Sequence, residues 1–529
     1  MKTLTVLIIL LIASIPARAQ IRFQHLMGGA AYEDVQEVIQ TPDHGFIMCG
    51  TTESFGAGQS DILVIKTDQA GMVQWSNTYG SSGNDYSVAV RIAPAGGYVI
   101  AGYSYGLSAD TLTDDFLLLN IDTAGNVNWV KTYGGVDNDE SHALAVMADS
   151  GFVIAGTTSS FGGVSGQAGY VVRTDAAGNK LWSKAIAQNS DQQLFSVDAT
   201  ADGGCIVAGY TYVSSFRLFD VFIAKISASG VKQWVRSYGG NNSEQAFSIR
   251  LASTGGYVVS GYTSSFGTGQ EDAFILRIDD TGNVSWFNTY GTAASERSRS
   301  VIWNSAGIVI SGHAQVGANL FDNNFLLQTD TAGIVLWSRT YGPTSNVSLP
   351  YSASECSDGG FITGGLTGGF GALQNDIYLI KTNDLGGSGC NQASPQLFAS
   401  GFLPSDSSGG TFTNGGTENT VTINQSQALL TTHINCNSTI SGTEERGYGS
   451  ISVTPNPATD FIRIGLNDSR QTESGLSIID LQGNILYKAE YPAIMREMII
   501  PVTAFTNGLY ILKLVTGNGV HTRKMIISR

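Results

Sequence analysis

Between residues 20 and 386, apolar positions fall in short runs rich in Val, Ile, Tyr and Phe, separated by Gly, Asn, Asp and Ser. Runs of this kind, with no sustained helical period beyond the first residues, predict strands joined by turns. One run closes on nearly the same words each time: GGYVIAG at 96–102, GGCIVAG at 203–209, GGYVVSG at 255–261 and GGFITGG at 359–365. Its last glycine falls at Gly50, Gly102, Gly156, Gly209, Gly261, Gly312 and Gly365, a step of 51 to 54 residues. A period that regular is a repeat architecture.

Each unit offers four runs in fixed order. A weak alternating run (YSVAVRIAP, 86–94) is strand A, the glycine phrase is strand B, an apolar run (DFLLLNID, 115–122) is strand C, and a run centred on Trp is strand D. The tryptophans are Trp75, Trp129, Trp182, Trp234, Trp286 and Trp337, and most precede a Tyr-Gly pair such as Tyr79-Gly80. Four strands in about this length is the arithmetic of a β-propeller blade. Seven of A, B and C against six Trp-type D strands leave one outer strand missing. IRFQHLMGG at 21–29 aligns with VQWSNTYGS at 73–81, with Phe23 in the Trp place. Residues 21–28 are therefore expected to close the last blade, whose other strands come from 347–383. The expected fold is all-β: a seven-bladed propeller over 20–386, a linker over 387–448 and a small Ig-like β-sandwich over 449–529.

Within the blades, Asp68, Asp122, Asp175, Asp279 and Asp330, each followed three residues later by Gly, read as turn chemistry. The D-strand Trp is wide enough to pack between blades. The segment 387–448 is rich in Ser, Thr, Gly and Asn with no Trp, and reads mostly as a flexible spacer, although TVTINQ at 420–425 could pair as a strand.

Composition narrows the function classes. Lys and Arg number 28 against 43 Asp and Glu, a formal charge of −15, which disfavours nucleic acid and acidic membranes as partners. Residues 1–19 carry Lys2, the apolar stretch TLTVLIILLIA and Ala17-Arg18-Ala19, an export signal cleaved before Gln20. The stretch is too short to span a bilayer and no later segment approaches that length. Of five cysteines, Cys49 and Cys205 sit in B strands as small core residues. Cys390 and Cys436 bracket the segment after the repeats and are the best candidates for a disulfide.

The last eighty or so residues bring VTPNPATDFIRIGL (453–466), LSIIDLQGNILYKAE (476–490), NGLYILKLVTGNG (507–519) and RKMIISR (523–529) in fixed order. This text resembles the type A C-terminal sorting domain of the type IX secretion system of Bacteroidota. Its motifs fall on Pro455, Asn456 and Pro457, on Asp480 to Gly483 and Asn484, on Gly508 and Tyr510, and on Arg523 and Lys524. The resemblance implies an address: passage to the periplasm, recognition by the outer-membrane translocon, cleavage by its sorting protease, then attachment to the surface or release. The repeats are similar to Gly-rich propeller repeats of secreted Bacteroidota proteins. Their Asp-x-x-Gly-x-x-x-Trp turn is similar to the tryptophan-docking motif of quinone-dependent dehydrogenases and approaches the Asp box of sialidases; both likenesses concern packing, and fold does not carry function.

A search for chemistry finds no nucleophile elbow, zinc-protease helix, EF-hand loop or phosphate-binding loop, and no two of the six histidines at ligand spacing. No catalytic, metal or cofactor residue is assigned. One pattern stands out: Asp34, Asp85, Asp139, Asp191, Glu244 and Glu296 follow strand D in successive units. A ring of carboxylates could hold calcium or a cationic ligand; six copies of a turn-stabilising hydrogen bond would look the same in sequence. The leading function is a non-catalytic surface or secreted propeller that binds a glycan, protein or envelope component. A polysaccharide-acting enzyme would need two carboxylates, or a carboxylate and Tyr, at the channel mouth, with Asp110, Asp114 and Glu355 as blade-specific acids to inspect. A quinoprotein dehydrogenase is the third class.

Overall fold

The computed structural model describes the chain from residue 20, except for 108–111, 163–165, 188–190, 214–217, 317–319, 344, 373, 396–397, 403, 408–410, 416, 422, 429, 441–450, 455–460, 467–473, 480–484, 492–496, 504, 506–507, 517–518 and 528–529. The expected export signal, Asp110, Pro455, Asn456, Pro457, Asp480 and Gly483 lie outside the described residues. Every regular element among the described residues is a strand. The chain divides into a repeat unit, Arg18–Ile440, and a C-terminal unit.

The repeat unit is built from seven five-stranded antiparallel sheets. In the second sheet the four sequential strands are Asp85–Ile92, Tyr98–Ser104, Asp115–Ile121 and Val127–Gly134, and the others follow this order. The seventh takes A, B and C from Ser348–Glu355, Phe361–Thr367 and Asp376–Lys381. Its fourth strand is Gln20–Gly28. Phe23 there stands opposite Lys381, the place Trp75 holds opposite Lys66 and Trp234 opposite Lys225. First strands contact first strands in cyclic order from sheet to sheet, the seventh meeting the first.

What locks one sheet to the next is the sequence from Trp to Tyr on strand D. In five of the seven units the tyrosine hydroxyl donates to the carbonyl of the turn glycine in the following one: Tyr79 to Gly125 at 2.6 Å, Tyr133 to Gly178 at 2.6 Å, Tyr238 to Gly282 at 2.6 Å, Tyr290 to Gly333 at 2.8 Å and Tyr341 to Gly386 at 2.5 Å. Those tyrosines are fully buried, so losing the acceptor would strand a polar group at a cost of about 1–3 kcal/mol. The Trp ring lies over the same glycine. Gly125 is at φ +86°, and a side chain there would press on Trp75 and the Tyr79 hydroxyl. At the seam, Phe23 covers Gly71 and His25 Nδ1 lies 3.3 Å from its carbonyl oxygen.

The turn aspartates cap the same hairpins. Asp68 Oδ1 accepts from the backbone N–H of Ala70 at 2.8 Å and of Met72 at 2.9 Å, and Asp122 and Asp279 do the same in their turns. The glycine that closes each B phrase has another cause. A side chain on Gly50 or Gly102 would drive into the backbone carbonyl of Asp34 or Tyr86 on the facing first strand.

The segment expected as a spacer departs from that expectation. Residues 392–440 lay a fifth strand on the outer edge of every sheet, in reverse order. Gln392–Ala393 pairs with the sixth sheet, Phe398–Phe402 with the fifth, Ser405–Ser407 with the fourth and Thr411–Asn414 with the third. Thr417–Thr420 pairs with the second, Asn424–Gln427 with the first and Thr431–Ile440 with the seventh. An edge strand needs only its backbone to pair, so polar residues serve, and the exposed rim edges are covered. Phe412, Val421, Ile423 and Ala428 anchor this belt into the sheet cores, and Lys131 pairs with Glu418 at 2.5 Å.

The belt starts on the sixth sheet and ends on the seventh, its neighbour, after a full circuit. Cys390 at its start is disulfide-bonded, while Cys49, Cys205 and Cys356 are free and buried. Of the five cysteines that leaves Cys436, which stands opposite Gln24, and Gln24 Nε2 donates to the Cys390 carbonyl at 2.5 Å.

The C-terminal unit has a three-stranded sheet (Ile451–Thr454, Phe461–Leu466, Glu497–Pro501) and a four-stranded one (Ser474–Ile479, Ile485–Tyr491, Gly508–Thr516, Gly519–Ile527). Ile462, Ile464, Leu476, Ile478, Leu512 and Tyr510 form one core between them. Gly508 opens the strand facing the last one, where the register sets Tyr510 opposite Met525 and Ile511 opposite Lys524, with Arg523 opposite Leu512.

Candidate functional site

The first strands of the second to seventh sheets carry a β-bulge at the same point. In the second sheet Ser87 pairs with Gly102 and Ala89 with Ala101, leaving Val88 over. The same irregularity leaves over His142, Phe195, Phe247, Arg299 and Tyr351 in the third to seventh sheets; Gln36 holds the place in the first. A bulge re-aims its extra side chain, and here the extra residues form a circle of part-exposed groups. His142 stacks on Phe195 with centroids 5.0 Å apart, Phe195 meets Phe247 at 5.2 Å, and the Arg299 guanidinium sits 4.3 Å from the Phe247 centroid. Arg299 in turn acts on Tyr351, which hydrogen-bonds with Tyr32. The Tyr32 hydroxyl lies 3.1 Å from Asp34 Oδ2, which also accepts from Gln36 Nε2 at 2.7 Å.

The residue after each B-phrase glycine backs this circle. Tyr103 packs on Tyr86 at 5.0 Å, Tyr210 on Phe195 at 5.7 Å and Tyr262 on Phe247 at 6.1 Å. Arg297 lies 4.6 Å from the Tyr262 ring and is ion-paired with Glu271. His313 faces Arg297 across the strand pair; burial and the two arginines push its imidazole down to about 3, so it is neutral. Charge is unevenly spread: Arg297 and Arg299 stand on the sixth sheet, while Asp34, Asp114 and Glu140 belong to the first three. Burial raises the carboxyl pKa of all three acids.

The six acids singled out in the sequence do not all share one position. Asp85, Asp139, Glu244 and Glu296 do: each accepts from the backbone N–H four residues earlier, on Ser81 (2.6 Å), Gly135 (2.8 Å), Gly240 (2.7 Å) and Thr292 (3.0 Å). In the first sheet this role falls to Glu33, which accepts from Gly29 N at 2.6 Å and from Thr52 Oγ1 at 2.7 Å. In the fourth, Gln192 stands where the acid was expected and donates to Thr211 Oγ1 at 3.0 Å. Asp34 and Asp191 are one residue out of step: Asp34 belongs to the bulge circle, and Asp191 Oδ1 accepts from Gln167 N at 3.0 Å. Among the described residues no group of three or more His, Cys, Asp or Glu side chains is gathered as a metal would require.

A second carboxylate lies beside the first in several sheets. A side chain on Gly80 would meet both Asp61 and Asp85, one on Gly134 both Asp115 and Asp139, and one on Gly291 both Asp272 and Glu296. Burial raises Asp61, Asp85, Asp272 and Glu296, lifts Asp139 to about 6, and lifts Asp220 on the fourth sheet likewise to about 6 with Glu244 adding to the effect.

At the other end of the first strands, a cavity of 310 Å³ is lined from six sheets by Glu37, Arg91, Asp198, Arg250, Trp303 and Glu355 among others. Its charges are answered internally: Arg91 pairs with Glu37, and Asp198 accepts from Leu251 N at 2.8 Å. Glu355 is thus separated from Asp114, which precedes the third strand of its sheet at the bulged end. The bulged circle itself escaped the sequence reading because the inserted residue breaks the alternation and follows no common residue type; the only trace was the weakness of the strand A pattern.

Residues 452–528 match the family described as the secretion system C-terminal sorting domain. Regulatory protein FlaEY of Caulobacter vibrioides is 23% identical over 293 residues, 48% of this chain and 31% of that protein, so the chain spans under a third of that relative's length. Among solved structures, Sqt1 from Chaetomium thermophilum covers 67% of this chain and 97% of its own, at 9% identity and a TM-score of 0.39. The polysaccharide lyase Uly1 covers 68% and 90%, at 11% identity and a TM-score of 0.35. Behind a propeller-like array of repeats, the chain carries at its C-terminus the secretion-system sorting domain.

Proposed function

We propose that this is an exported, surface-attached or secreted binding protein: a closed seven-bladed propeller whose bulged channel end takes a ligand, with an Ig-like tail that addresses it to type IX secretion. The Sec-type leader and the sorting protease belong to the same reading. The observation that carries it is the contrast within the repeat. Glycine, Trp-to-Tyr docking and turn Asp recur from unit to unit, whereas the bulge residue is Gln, Val, His, Phe, Phe, Arg and Tyr in turn. Uniform positions build the scaffold; a varied, half-exposed aromatic and polar circle is what a binding site requires. A glycan-array screen with the purified chain, run beside depolymerisation assays on the bound glycans, tests it. Binding that is lost in Phe247→Ala, with no chain cleavage, supports the reading; binding unaffected by changes around the circle removes it.

One observation favours a second reading. Tyr32 and Asp34, a tyrosine and a buried carboxylate 3.1 Å apart, meet beside Tyr351 at the channel end, the pairing a polysaccharide-acting enzyme would need. Cleavage of a bound polymer that disappears in Asp34→Asn while binding persists would favour it. For the acidic positions, calcium titration of the melting temperature separates a cation role from the local hydrogen bonds described above.

A further inference from the structure

We propose that the bulged channel end recognises an acidic sugar, and that Arg299 is the group that reads its negative charge. This rests on the binding reading above and sharpens its ligand. Arg297, two residues away, has its counter-charge in Glu271. Arg299 has no ion pair or hydrogen bond among the described residues, and its Nε is buried without a partner. Behind it His313, 8% exposed, also has an unpartnered buried Nδ1. A guanidinium withdrawn from water without a counter-charge is costly, and its planar fork fits a carboxylate or sulfate in two parallel hydrogen bonds.

The surroundings specify what carries that anion. Phe195, Phe247 and Tyr351 are part exposed beside Arg299, giving apolar faces interrupted by hydroxyls, which suits a ring with one apolar face and polar edges. The seven sheets send single side chains to this end, while the belt strands, whose outer edges are the ones an extended peptide could pair with, lie at the opposite edge of every sheet. The chain's charge of −15 opposes a long polyanion; one acidic sugar seated at Arg299 does not meet that barrier over many charges.

Calorimetric titration of the full chain with four probes tests this: a galacturonate tetramer, a sulfated galactose tetramer, a neutral galactose tetramer and a polyglutamate peptide. The expected result is binding of one or both acidic sugars, with the neutral one at least about tenfold weaker, the equivalent of one charge-assisted contact. Arg299→Gln should lose about the same factor and Arg299→Lys less, with unchanged melting. Wild-type binding should also weaken as NaCl rises from about 20 to about 500 mM, a readout that needs no variant. Equal affinity for the neutral tetramer, unchanged binding in Arg299→Gln, or preference for polyglutamate overturns the inference. If the neutral sugar binds equally and Phe247→Ala abolishes it, the binding end stands and only the acidic reading falls; if no probe binds and the array is blank, both fall.

Discussion

The outer rim and the bulged end of the channel are made from the same repeats and obey opposite rules. At the rim each sheet presents a ring over a glycine, a buried hydroxyl on that glycine's carbonyl in most sheets, and a fifth strand of borrowed backbone. At the channel end the backbone is as regular, bulge after bulge, but the side chain it delivers changes from sheet to sheet. Where neighbouring units must fit one another, every copy is constrained by two others, and variation is costly. Where half-exposed side chains touch only one another around the circle, they are freer to differ, and a set of differing groups can be specific. Stability and recognition are thereby assigned to different radii of one molecule.

The largest effect should come from breaking the rim. Trp129 packs on Gly178 and belongs to the core shared by the second and third sheets. Trp129→Ala is expected to cost about 3 kcal/mol, the low end for a large aromatic because one edge of the ring remains part exposed. Phe247→Ala should cost less than half of that, and urea unfolding of both variants gives the comparison. Equal losses would dissolve the division between rim and channel.

Next in size is the clasp of the belt. Cys390→Ser removes the disulfide that Cys390 makes, and chain-entropy arguments put the cost at about 2–4 kcal/mol. Because the belt pairs with all seven sheets, the loss should be global: hydrogen exchange at the outer strands of several sheets should rise together. Exchange that rises only beside residue 390 would show that the belt does not act as one hoop.

A smaller effect lies between the two radii, in the buried carboxylates at the inner ends of the sheets. Burial lifts Asp139 and Asp220 to about 6, above the ordinary carboxylate value of about 4. Between those values the folded state holds more protons than the unfolded one, so stability should fall as pH rises from about 4 to about 6. Asp43 and Asp202 are drawn down to about 2 despite some burial, by hydrogen bonds from Lys66 and Thr41 and from Thr200 and Gln233 respectively. Their stabilisation is present above about pH 4 and is lost as pH falls toward about 2. The melting temperature should therefore peak in mild acid, and Asp139→Asn should flatten its decline toward neutrality. A melting curve that climbs steadily to pH 7 would contradict the raised values.

The rim was largely legible in the sequence because its chemistry has a fixed spelling. Trp four residues before Tyr, and Asp three before a glycine, are each required by a turn or a docking contact, so they recur and can be counted. The belt was not legible: an edge strand is held by its backbone, and Ser, Thr and Asn serve as well as any residue. The acidic positions were legible to within one residue. Asp34 and Asp191 each lie beside the true repeat position, held by Glu33 and Gln192, and the neighbouring acid captured the eye. The correct register was available in the hydroxyl partner nineteen positions on, at Thr52 for Glu33, Ser104 for Asp85, Thr211 for Gln192, Thr263 for Glu244 and Thr367 for Ser348.

The sharpest comparison of rim and channel is a pair of small changes in two adjacent sheets. Val88 is the bulge residue of the second sheet, and Tyr79, at the end of the preceding outer strand, is its docking tyrosine's counterpart in the first. Tyr79→Phe removes only a hydroxyl, whose bond to the buried Gly125 carbonyl is 2.6 Å long in the native protein, and leaves that carbonyl with Gln425 Nε2, at 2.9 Å, as its other donor; a loss of about 1 kcal/mol is expected. Val88→Thr alters one group of similar size on a half-exposed bulge and should shift stability by less than about 0.5 kcal/mol. The bulge exists because the glycine phrase lets strand A crowd strand B, whatever residue is carried there. If Val88→Thr proves as damaging as Tyr79→Phe, the inner circle is part of the scaffold, and its variety from sheet to sheet must be explained by packing instead of by a ligand.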